Sequence, residues 1–127
     1  MSYSFNAQHG LILVRAELFG PLGNIVLRLA LDTGATGTTV NAGLLNVIGY
    51  DPSAAAERVE LTTGSGVEYA PRLSVSRIRT LGQGRVDFPV VAHTLPPSAS
   101  VDGLLGLDFF RGQALNLDFR AGTIALS

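Results

Sequence analysis

The sequence predicts a mostly-β domain, and two observations carry that expectation. Short apolar runs rich in Val, Leu and Ile recur along the chain, and 15 Gly and 6 Pro are scattered among them, which is the pattern of many short strands joined by tight turns. A hydrophobic content of 46% against 15% charged residues gives 127 residues enough apolar surface for a core, so residues 1–127 are expected to form one domain.

The runs 11–19 and 24–31 flank a turn cluster at Gly20, Pro21 and Gly23 and read as a hairpin. The second run leads straight into Asp32, so this carboxylate is expected on a loop at the end of a buried strand. Residues 42–48 suit a short helix and 52–57 a solvated connection. A second hairpin is expected from the runs 58–63 and 67–69, with Gly64, Ser65 and Gly66 as a glycine-rich tip. Strands at 72–79 and 86–92 follow, joined across Gly82 and Gly84. The segment 103–111 has few β-branched residues and reads as a short helix ending before Gly112. Runs 114–119 and 123–126 make a last hairpin around Gly122.

Composition excludes several chemistries. There is no cysteine, hence no disulfide, thiolate metal site or cysteine nucleophile, and no lysine for a Walker loop or a Schiff base. The net charge is −1 and the arginines are spread from Arg15 to Arg120 without a basic block, which argues against nucleic acid. The apolar run from Leu11 to Val14 is too short for a signal sequence or a membrane span. A cytoplasmic protein is the default expectation, with an anchor upstream of this sequence as the alternative.

The stretch from Leu29 to Val40 sets Asp32, Thr33, Gly34 and Ala35 between an apolar strand and a small-residue turn. Such a loop suits an acid at the floor of a cleft: Gly34 admits a second backbone at close range, and the Thr33 hydroxyl can form a locking hydrogen bond. Alone, D-T-G is a common tripeptide, and an Asp in a turn usually caps its own backbone. Two further elements add specificity: the glycine-tipped hairpin, and the late segment Val101, Asp102, Gly103, Leu104, Leu105, Gly106, Leu107, Asp108, Phe109, Phe110.

In this order and spacing the elements resemble the retropepsin-like aspartic proteases, in which D-[TS]-G-A, a flap hairpin and a late apolar-apolar-Gly segment follow one another. The resemblance runs from about Leu11 to Ser127, and the L-L-G-L-D at Leu104 to Asp108 is similar to that of the DNA-damage-inducible and bacterial retropepsin-like proteases. It implies a single-domain, closed β-barrel-like acid-protease fold with one short C-terminal helix, acting as a homodimer without cofactor on a peptide or protein substrate. By the same resemblance Asp32 is the catalytic carboxylate, and Thr33 locks the dimer. Gly34 and Ala35 offer backbone groups to substrate, and Thr63, Gly64, Ser65 and Gly66 form the flap. Val101, Leu104 and Leu105 are the residues expected to line apolar subsites.

Viral members commonly carry a carboxylate after the Ala and an Arg after the second Gly of the late segment. Here Thr36 and Leu107 stand there, so both partners of that ion pair are lost together. The chain also continues past Phe119, where a viral enzyme ends, so the viral terminal sheet is not transferred.

Peptide hydrolysis by this route needs one carboxylate to take a proton from water and one carboxyl to give a proton to the carbonyl oxygen. One D-T-G in 127 residues then calls for two chains about a twofold axis. The alternative reading keeps the fold as a non-catalytic peptide-binding or dimerisation module. Other residues read as structural: Asp102 as shaping the loop into the helix, Asp108 as capping or solvated, and His9 and His93 as surface or strand positions without a third metal ligand. Ser65 lacks a nucleophile-elbow context, and phosphoryl transfer on an aspartate lacks its neighbouring acids and lysine.

Overall fold

The structure is a computed structural model that describes residues 1–127, the side chain of Thr63 excepted. Its first hairpin follows from alternation. In β2 (Leu13–Gly20) every second residue, Val14, Ala16 and Leu18, is buried, and in β3 (Gly23–Leu31) Leu27 and Leu29 are. The antiparallel register sets Val14 opposite Leu29 and Ala16 opposite Leu27, so both apolar sets share one face. Gly23, at φ 136, makes the turn in a conformation that side chains rarely adopt.

Six strands close into a barrel. The order is β2, β3, β8 (Gly103–Leu105), β4 (Thr39–Val40), β7 (Gln83–Ala92) and β6 (Gly66–Thr80), and β2 pairs again with β6. Outside β6 lies β5 (Glu57–Thr63), which pairs with β6 alone. A one-and-a-half-turn helix, α1 (Ala42–Val47), follows β4, with its first turn capped by the Asn41 side chain, which accepts from Gly43 N at 3.0 Å. A separate three-stranded sheet, β1 (Ser2–Ser4), β10 (Thr123–Leu126) and β9 (Leu115–Asp118), buries Ile124 against the barrel core. The core itself is aliphatic, with Phe88, Phe109 and Phe110 stacked edge to face at one end.

Four local expectations are corrected. The runs 67–69 and 72–79 are one strand, β6, continuous through Pro71. Pro71 lies where β6 has a partner only on its β5 side, so its missing N–H need not interrupt a ladder. Residues 52–57 are not simply solvated: Pro52–Ala54 form a 3-10 turn with Pro52 buried. A strand absent from the sequence reading, β1, pairs with β10, and its signal is the alternation of Ser2, Tyr3 and Ser4.

The fourth correction concerns 103–111, which is not one helix. Gly103–Leu105 is strand β8, and only Leu107–Phe110 form the single helical turn α2. The reason is contact. A Cβ on Gly103 would lie 2.0 Å from the Thr39 carbonyl oxygen and on Gly106 2.5 Å from that of Gly37, so the glycines let this segment slot between β3 and β4. The low count of β-branched residues had suggested helix, but close backbone packing decides for strand.

The arm formed by β5 and the first part of β6 overhangs the barrel, because β7 begins to pair with β6 only at Arg72. Further along, both strands switch faces together: Val75 and Phe88 point inward, whereas the next pair in register, Arg77 and Val86, is exposed. Asp87 adopts φ 48 at this bend. Tyr50 fixes it by donating to Phe19 O at 2.8 Å and accepting from Ser76 N at 2.7 Å.

Gly103→Ala should destabilise the fold by about 2–3 kcal/mol or more, since the added carbon meets backbone that cannot rotate away. Urea unfolding checks this; a midpoint unchanged from wild type would contradict the close approach of β8 and β4.

Candidate active site

Asp32 follows the last residue of β3, a strand held between β2 and β8. Its N–H donates to Leu105 O at 2.9 Å, extending the β3–β8 ladder by one bond, and its carboxylate accepts from Gly34 N at 2.9 Å. Ala35 N donates to Asp32 O at 3.2 Å and closes a tight turn. The side chain is half-buried, while Thr33 and Gly34 at the apex are exposed.

Carboxylates that accept from the N–H two residues on occur elsewhere in this chain, at Asp51 and Asp118. Those cap surface turns. Asp32 differs in its setting: it ends a central barrel strand, and its loop is braced from behind by a second chain segment. Leu107 N donates to Ala35 O at 2.8 Å. Thr38, fully buried, donates through Oγ1 to Asp108 at 2.7 Å and through its N–H at 3.1 Å, and the same Oγ1 accepts from Gly106 N at 3.1 Å. Every polar group of Thr38 is thereby tied: its carbonyl accepts from Val91 N at 2.9 Å.

These contacts refine several expectations. Ala35 has both its N–H and its carbonyl engaged, by Asp32 O and Leu107 N, whereas the carbonyl of the exposed Gly34 accepts no hydrogen bond among the described residues. The Thr33 hydroxyl makes no hydrogen bond among the described residues and is exposed. Leu105 is corrected: it is 0% exposed within the core cluster, so it lines no subsite of this chain. Leu104, on the opposite face of β8, and Val101, just before that strand, are half-exposed. Gly64 and Ser65 form the tip between β5 and β6, with Gly66 at φ 124 opening β6. Thr63 ends β5, and its side chain lies outside the described residues.

Asp108, half-buried, does not cap its own helix; it is the acceptor that pins Thr38. Sequence reasoning missed Thr38 and this role, although a Thr six residues after the Asp and an Asp two after the second Gly were visible. Asp102 shapes a loop as expected, but the loop enters a strand: its carboxylate accepts from Arg28 N and its own N–H donates to Arg28 O, both at 2.8 Å. His9 is exposed, and His93 extends β7 by donating its N–H to Val40 O. Among the described residues no three His, Asp or Glu side chains are grouped to hold a metal, and no helix is long and apolar enough to cross a membrane.

Asp108→Ala leaves two Thr38 donors without a partner beneath the loop and should cost about 2–4 kcal/mol. Thr38→Val acts on the same network, so the double variant should fall well short of the sum of the two single losses. Denaturant unfolding of the three variants checks this; strict additivity would contradict the coupling.

The family model described as "gag-polyprotein putative aspartyl protease" matches residues 22–112. No curated protein matches the sequence. Among solved structures, the chain is similar to the crystal structure of a retropepsin-like aspartic protease from Rickettsia conorii, with a TM-score of 0.75 at 15% identity, over 99% of this chain and 88% of that one. That likeness is one of fold. The matched residues contain Asp32 with its loop, the hairpin tip and the bracing segment at Gly103 to Phe110 together, and the chain belongs to the retropepsin-like aspartyl protease family.

Proposed function

We propose that this chain is one half of an aspartic endopeptidase, and that two copies bring their Asp32 carboxylates together about a twofold axis to hydrolyse extended polypeptides. The observation that carries the reading is the setting of Asp32: a half-buried carboxylate at the end of a central strand, on a loop whose apex is exposed and whose back is locked by Thr38 and Asp108. One such carboxylate per chain is half of what the reaction needs.

In aspartic proteases two carboxylates about 3 Å apart do not both ionise, so the pair shares one proton. The ionised Asp32 of one subunit takes a proton from water as the oxygen attacks the scissile carbonyl carbon. The protonated Asp32 of the partner subunit gives its proton to the carbonyl oxygen, and a neutral gem-diol forms. Collapse of that intermediate breaks the C–N bond, with one proton passing to the leaving amine and the other returning to the pair. The exposed Thr33 hydroxyl would bond across the axis, and the Gly34 carbonyl would accept from a substrate N–H. The arm of β5 and β6, with Gly64 and Ser65 at its tip, would close over a peptide bound as an added strand. Leu104 and Val101 remain the candidates for apolar subsites.

The alternative is a peptide-binding or dimerisation module that cleaves nothing. Asp32→Asn separates the two. It keeps the side-chain shape and the acceptor for Gly34 N but removes the ionisable group. Proteolysis should be abolished with fold and dimer intact, read by peptide cleavage, circular dichroism and sedimentation; retention of a tenth or more of the wild-type rate would sink the catalytic role. Specific activity should also rise with protein concentration across the range where the dimer assembles, because each chain brings half a site. A rate proportional to concentration throughout, from a protein that sediments as a monomer, would contradict the shared site.

A further inference from the structure

Of nine arginines that look scattered in the sequence, four come together in space. Strand register puts Arg15 opposite Arg28 and Glu17 opposite both Val26 and Arg79, while Phe19 faces Arg77 and Arg77 faces Val86. Since cross-strand partners share a face and strands alternate with period two, Arg15, Arg28, Arg77 and Arg79 lie on one outer surface of the barrel. All four are exposed, and none makes a hydrogen bond or ion pair through its guanidinium among the described residues. The one acid among them is Glu17, half-buried and accepting from the Asn24 amide. The four arginines and Glu17 together carry a formal charge of +3 in a chain whose net charge is −1, and the exposed Asp87 beside Val86 borders them.

The surface is also partly apolar. Val26 and Val86 are 51% and 73% exposed within it, and the Arg77 guanidinium stands 5.7 Å over the Phe19 ring. Gly84 leaves the space across which Arg77 and Arg79 both lie. A cavity of about 250 Å³ opens at the edge, lined by Glu17 and Arg79 together with Tyr3 and Gln83. Across β3, β2, β6 and β7 the patch is about 14 Å wide, the span of a few extended residues.

We infer that this face docks an acidic polypeptide segment carrying apolar side chains between its carboxylates. Charge complementarity requires an anion, and planar guanidinium forks pair with carboxylates in two-bond fashion. Glu17 decides the class. A carboxylate at the centre of the patch repels a continuous sheet of phosphates, as on a bilayer or a nucleic-acid backbone, whereas a peptide can set a backbone N–H against it and its own acids against the arginines on either side. The exposed valines and the cavity take the apolar side chains. Arg28 is four residues before Asp32 and the patch runs from there toward the 20–23 turn, so this surface does not depend on the catalytic reading.

The test is fluorescence anisotropy of a short labelled peptide of mixed Glu and Leu in about 0.15 M salt, where loose surface attraction is largely screened. Wild-type protein should bind it. The variant with Arg15, Arg28, Arg77 and Arg79 all changed to Gln should lose roughly tenfold or more in affinity. Arg111→Gln with Arg120→Gln, which removes two exposed arginines elsewhere, should leave binding unchanged, and circular dichroism checks that each variant is folded. Absence of wild-type binding would overturn the proposal, as would an equal loss in the Arg111 and Arg120 control. Tighter patch-dependent binding of phosphatidylglycerol vesicles or of single-stranded DNA than of the peptide would also overturn it, assigning the face to a membrane or to nucleic acid instead.

Discussion

Two segments about 70 residues apart meet backbone against backbone where Gly103 and Gly106 press on Thr39 and Gly37, and the rest of the molecule is arranged around that contact. Because no side chain separates them, β8 can enter between β3 and β4 and complete the closed barrel. The same entry sets Leu105 O against Asp32 N, Leu107 N against Ala35 O, and Asp108 against Thr38. Barrel closure and the posture of the Asp32 loop are therefore one event. A change that loosens β8 acts on stability and on the carboxylate together.

This coupling explains how an exposed loop of small residues can hold a fixed shape. Thr33 and Gly34 have few side-chain contacts to order them, and their backbone freedom would otherwise be large. Order is supplied from the buried side, through Thr38 and the Ala35 carbonyl. The loop is left with the Asp32 carboxylate, the Thr33 hydroxyl and the Gly34 carbonyl, a set of polar groups with spare hydrogen-bonding capacity. On the proposed function, a second copy of the chain and a substrate strand use that capacity.

Much of this was legible in the sequence. The first hairpin followed from two apolar runs around a Gly turn, residues 42–48 suited the short helix found there, and the order of Asp32 loop, glycine-tipped hairpin and late Gly segment carried the family. Where the reading failed, the deciding quantity was tertiary. Residues 103–105 have no strand propensity to speak of, and only the approach to Thr39 makes them a strand. Leu105 and Leu104 look equivalent in sequence, but one is core and the other half-exposed because neighbours in a strand face opposite ways. Thr38 is an ordinary threonine until Asp108 is brought to it. The arginine surface stayed hidden for a related reason: its members come from three strands, and no run along the chain contains them all.

The central claim is that two Asp32 carboxylates form one site. A crystal structure of the purified protein at a concentration where it is active tests this most directly. The account predicts a twofold axis passing between the two Asp32 side chains, with carboxylate oxygens about 3 Å apart and the Thr33 hydroxyls within reach across it. A dimer formed through another face with the two Asp32 loops far apart, or a monomer that cleaves peptide in solution, would contradict it.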